Sequence, residues 1–144
     1  MIQIKSVSVL RMQHWPMSEE STPYALLGGH DAVRAIVDRF YHLMDRSTDY
    51  AAVRAMHVGD LSAVRESLSE FLCGWLGGPP TYFQKPERRC VMSAHAGLSI
   101  GAREAEQWLA CMKQALTDCD VEPGLRNPVY EALARMADRM RNRP

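Results

Sequence analysis

Leu61, Val64, Leu68, Phe71, Leu72 and Trp75 fall on one face of a helix, and Gly77-Gly78-Pro79-Pro80 follows at once. Apolar residues that return every three or four positions oblige the segment to bury one broad stripe against something else. Prolines cannot continue the helix and glycines let the chain turn away, so the helix has a firm end. Asp60 stands where a cap for its start is expected. An apolar face this large is not stable alone in water, and the rest of the chain has to cover it.

The neighbouring segments are suited to that. Val33, Ile36, Val37, Phe40 and Met44 recur at helical spacing after Gly28-Gly29, with Tyr41 at the edge of the stripe. A short helix is expected from about Tyr50 to Met56, followed by a corner at His57. Beyond Gly101, Ala105, Trp108, Leu109, Met112 and Leu116 make another stripe, with Arg103, Glu104, Glu106, Gln107 and Lys113 mostly off it. A last helix is expected to start with Asn127 as cap and Pro128 in its first turn, burying Val129, Leu133, Met136, Ala137 and Met140. No stretch has the alternation or the β-branched density of a strand pair, so the chain reads as all-α.

A chain of 144 residues allows one domain with one core. The domain is expected over residues 24–144, preceded by a loosely attached extension over residues 1–23, whose pattern is broken by His14-Trp15-Pro16 and a polar run. Seventeen basic residues balance 17 acidic ones, which argues against a partner recognised through phosphate, whether nucleic acid or anionic membrane. Cys73, Cys90, Cys111 and Cys119 form no Cys-x-x-Cys pair and read as reduced thiols. The apolar runs are too short for a membrane span, and no secretory signal opens the chain, so a cytoplasmic location is expected.

From Thr81 to Ile100 the periodicity fades while Tyr82, Phe83, Val91, Met92, Leu98 and Ile100 stay apolar. Irregular stretches of about twenty residues are unusual in small domains and tend to be functional. This one carries His95 among small and apolar neighbours. One reading is an axial ligand to haem iron; the other is a core histidine held by a hydrogen bond. The segment alone leaves both open.

The wider pattern resembles a known family, the group II truncated haemoglobins, a bacterial and plant branch of the globins. The resemblance rests on Gly28-Gly29, Phe40-Tyr41, Met56-His57, Tyr82, His95, the Ile100 to Glu104 segment and Trp108 to Met112. Above all it rests on Phe71-Leu72-Cys73-Gly74-Trp75-Leu76-Gly77-Gly78-Pro79. It implies a two-over-two helical sandwich around haem b, with His95 as the iron ligand. It makes Tyr41 and Trp108 donors to a ligand on the other face of the haem, with His57 at the corner beside them. Val64, Leu68, Phe71, Tyr82, Val91 and Ile100 complete the implied haem contacts.

That arrangement suits a ligand such as dioxygen, which takes up negative charge when held by ferrous iron. Neutral hydrogen bonds contribute about 0.5–1.5 kcal/mol net each, so two or three slow its release appreciably. The implied function is reversible binding of oxygen and other diatomic ligands. Nitric oxide or peroxide chemistry would be secondary and would need an outside electron donor. A cofactor-free helical interaction module is the alternative. The chain departs from the family between Glu87 and His95, where basic residues next to the histidine are missing. Arg88 and Arg89, or solvent, are left to meet the haem propionates. Cys90 in the same segment reads either as a small packed residue or as a redox-active thiol.

Overall fold

The computed structural model describes residues 22–57, 59, 61–86, 95 and 97–144. Its elements are α1 (Pro23–Leu27), α2 (His30–Arg46), a 3₁₀ turn (Thr48–Tyr50), α3 (Ala51–Ala55), α4 (Ser62–Trp75), α5 (Thr81–Gln84), α6 (Ala102–Asp118) and α7 (Pro123–Met140). Among the described residues there is no strand, as the apolar spacing predicts. None of these helices is long and apolar enough to cross a membrane.

Helix α2 packs on both α4 and α6, and α6 packs in turn on α7 and α3. The periodic residues do the burying: Val33, Val37, Phe40 and Met44 of α2 are at most 1% exposed, and Met112, Ala115 and Leu116 of α6 at most 2%. Helix α4 contributes Phe71, Leu72 and Trp75 to the same cluster. The Gly-Gly-Pro block after α4 does more than stop it. Gly77 has φ of +100°, and a Cβ on Gly78 would lie 2.5 Å from the Tyr24 ring. The Tyr24 amide donates to the Leu76 carbonyl at 3.0 Å, so the missing side chains let α1 dock on the end of α4. Thr22 caps α1 by accepting from the Ala25 amide at 3.1 Å, and Thr22 and Pro23 are buried. Of the expected extension, residues 1–21 lie outside the described part.

Two boundaries differ from expectation. Asp60 lies outside the described residues, and Leu61 occupies the cap position of α4. Helix α7 begins at Pro123 rather than beyond Asn127, with Pro128 inside it. Either proline can occupy a first turn, and Leu125, only 6% exposed, decides between them by packing into the core. The Asn-Pro signal is local and is outweighed by burial.

Candidate functional site

The helices enclose a cavity of about 760 Å³, within the about 300–1,000 Å³ usual for small-molecule and cofactor sites. Every expected contact residue that lies among the described residues lines it. Helix α2 supplies Tyr41, and the corner after α3 supplies His57. Val64, Leu68 and Phe71 come from α4, and Tyr82 from α5. His95 and Ile100 belong to the stretch before α6, and Trp108 to α6 itself. Val91 lies outside the described residues, as do Arg88, Arg89 and Cys90.

Tyr41 and Trp108 are mounted on one rigid neighbour. The Phe40 ring is fully buried and meets the Tyr41 ring edge-on at 4.9 Å and the Trp108 indole at 5.2 Å. Tyr41 is 4% exposed, yet among the described residues its hydroxyl has no hydrogen-bond partner. The residue borders the cavity, where a polar atom of a bound molecule would give the hydroxyl a partner. Burial pushes its pKa well above the ordinary phenol value, so it keeps its proton and can donate.

His57 is oriented differently from a simple donor. Its Nδ1 lies 2.9 Å from the Val53 carbonyl oxygen. A carbonyl can only accept, so Nδ1 carries the proton and Nε2 of the neutral ring is left as an acceptor. Burial lowers the ring's pKa below 6.5, against the hydrogen bond to Val53, with Arg54 and His95 adding to the lowering. The Tyr41 and His57 rings meet edge-on at 5.8 Å. Val53 itself is fixed from α6, because its amide donates to Gln107 Oε1 at 3.0 Å. Gln107 sits off the apolar stripe, and only the fold reveals what it binds.

Other lining residues carry no family signature in the sequence. Met136, Ala137 and Met140 of α7 face the cavity, so part of the stripe expected to fill the core walls the site instead. Lys85 brings a cation to the lining and pairs with Glu70 at 2.5 Å. The thiols of Cys73 and Cys111 are buried and free, and burial pushes them up to about 11 and about 12, which keeps them protonated. Cys111 donates to the Phe40 carbonyl at 3.2 Å, a packing role.

An imidazole, a phenol and an indole on an otherwise mainly apolar cavity form a donor set that fits haem: one nitrogen for the iron, apolar walls for the macrocycle, and donors for a ligand. The chain is also similar to known proteins. The family model described as bacterial-like globin matches residues 22–142. The group 2 truncated hemoglobin YjbI of Bacillus subtilis is 27% identical over 122 residues, which span 85% of this chain and 89% of that protein. The group II 2-on-2 hemoglobin of Agrobacterium tumefaciens superposes with a TM-score of 0.82 at 35% identity, covering 90% of this chain and 100% of that one. The group II truncated hemoglobin of Bacillus anthracis does so with a TM-score of 0.78 at 32% identity, covering 90% and 94%.

Proposed function

The chain belongs to the bacterial-like globins, in their group II truncated branch with its two-over-two helical fold, and from that premise we propose that it binds haem b through His95 and holds dioxygen in the cavity. The family itself implies a haem protein that binds diatomic gases. The assignment of individual residues rests on one observation above the others: Tyr41, whose hydroxyl has no hydrogen-bond partner among the described residues, borders the same cavity as His95.

Haem, when bound, would supply an iron able to take a diatomic ligand, and His95 would hold it. The protein's own groups then set how long the ligand stays. The Tyr41 O–H and the Trp108 N–H act as donors to the negative charge that dioxygen acquires. His57 has a different part from theirs while it is neutral: its Nε2 can only accept, so it donates nothing to the ligand, and its ring packs edge-on against that of Tyr41. Val64, Leu68, Phe71, Tyr82 and Ile100 exclude water, and Val91 is assigned with them on the resemblance alone. Lys85 is the cation we assign to a propionate, exchanging part of its pairing with Glu70. The haem-binding unit in this reading is the domain expected from residue 24, begun two residues earlier by the buried Thr22 and Pro23, with the residues before them as an extension. A cytoplasmic location belongs to the same proposal, since free thiols suit a reducing compartment. Nitric oxide or peroxide chemistry is a secondary use of the same site and requires an external electron donor.

The test is the absorption spectrum of the purified protein after haem supplementation, with the haem content per chain. One haem per chain is expected, and His95→Ala is expected to lose most of it. A colourless protein would sink the proposal and leave the cofactor-free module standing.

A further inference from the structure

The backbone that carries His95 is tied down from the far end of the chain. The Leu98 amide donates to the His95 carbonyl at 3.0 Å, which closes a turn directly behind the histidine. Asn142 grips that turn from both sides: its Nδ2 donates to the Leu98 carbonyl, and its Oδ1 accepts from the Ile100 amide at 2.8 Å. The amides of Asn142 and Arg143 both donate to the Ile100 carbonyl, at 2.9 and 3.2 Å. Arg143 adds its Nε to Ser99 Oγ at 2.7 Å and a guanidinium nitrogen to the Glu104 carboxylate. Glu104 is 7% exposed and also accepts from the Gly101 amide at 2.8 Å, an otherwise unpaired donor at the start of α6.

Gly101 records how closely the strap lies. A Cβ there would sit 2.7 Å from Arg143 Nη1 and 2.7 Å from the Pro144 carbonyl oxygen, closer than carbon tolerates. Its φ of −107° is open to any residue, so the glycine is needed for room and not for conformation. A hydrogen-bonded side chain at each of 142 and 143, a buried carboxylate that receives one of them and a residue without a Cβ beneath them converge on the same few residues.

We propose that residues 141–144 form a strap that positions His95, with Asn142 and Arg143 as positioning residues for the axial imidazole. The inference rests on the reading of His95 as the iron ligand. Asn142 does not itself line the cavity; it acts by holding Leu98 and Ile100, which do, and through them the turn that follows His95. Releasing the strap leaves the histidine present and lets its backbone shift, so the iron–imidazole bond samples a wider range of tilt and length.

The experiment compares the haem-bound protein with Asn142→Ala, Asn142→Asp and Gly101→Ala. The two readouts are the iron–imidazole stretching band of the ferrous, ligand-free state and the rate of haem transfer to an excess of apomyoglobin. Asn142→Ala is expected to shift or broaden the band and to speed haem loss about tenfold, the size of effect that two lost hydrogen bonds allow. Asn142→Asp keeps the acceptor for Ile100 and loses the donor to Leu98, and is expected to fall between. Gly101→Ala leaves residues 141–144 unaltered but pushes them away by contact with Arg143 and Pro144, and is expected to match Asn142→Ala. A band and a transfer rate unchanged in both Asn142→Ala and Gly101→Ala overturn the strap. An unsubstituted protein that carries haem but shows no iron–imidazole band counts against His95 as ligand instead.

Discussion

The two sides of the cavity are held in different ways. Tyr41 and Trp108 project from α2 and α6, long helices whose buried faces meet in the core, and both lean on Phe40. His95 is a helical residue between α5 and α6, followed by a turn to Leu98, and residues 142 and 143 hydrogen-bond to Leu98, Ser99 and Ile100 beyond it. Side chains on packed helices can move only if the core moves, and cores resist that. A turn held mainly by hydrogen bonds near the surface opens at lower cost. The donor wall is therefore the rigid half of the site, and the ligand to the iron is the adjustable half.

Phe40→Ala gives the sharpest contrast. It empties a fully buried position behind both donors and is expected to cost about 3–5 kcal/mol, read by denaturant unfolding of the haem-bound protein. Oxygen release should accelerate as well, because Tyr41 and Trp108 lose their common support. A cost below about 1 kcal/mol would mean that the donor wall is no stiffer than the turn.

Tyr41→Phe and Trp108→Phe remove donors and leave the packing nearly intact. Each is expected to speed oxygen dissociation by up to about tenfold, in line with about 0.5–1.5 kcal/mol for one neutral hydrogen bond. If both donors reach the same ligand atom, the double substitution falls short of the sum. Stopped-flow release rates decide this, and single variants within twofold of the parent would remove both side chains from the site's chemistry.

The smallest effect is expected from His57. Its pKa is lowered on folding, so the folded protein disfavours the protonated ring. Its contribution to stability is complete above the unfolded value of about 6.5 and is lost as pH falls through that value and below. In the same acid range Nε2 gains a proton and turns from acceptor to donor. Oxygen release should thus be level from neutral to alkaline pH and change only on the acid side, and His57→Phe should flatten the profile while haem is retained. A midpoint above 6.5 in the parent protein would contradict the buried, neutral ring.

The helices α2, α4 and α6, and the place of Tyr41, His57, His95 and Trp108 around one cavity, were legible in the sequence. Apolar periodicity reports burial turn by turn, and the spacing of the Phe-Leu-x-x-Trp-x-Gly-Gly-Pro block, the histidine and the tryptophan carries the family. The start of α7 was misread because Asn127-Pro128 and Pro123 are equally good local signals, and only the packing of Leu125 chooses between them. Glu104 and Gln107 looked like solvent-facing positions of α6, because their partners lie outside that helix: Gly101 and Arg143 for the one, the Val53 amide for the other. The protonated nitrogen of His57 follows from the Val53 carbonyl of α3, which the corner after that helix lets the ring reach. Periodicity and motif spacing are local properties, so the sequence by itself determined which faces are buried and which family they build. Hydrogen bonds between residues some forty positions apart, such as Asn142 with Leu98 and Ile100, have no local signature, and only the tertiary structure decided them.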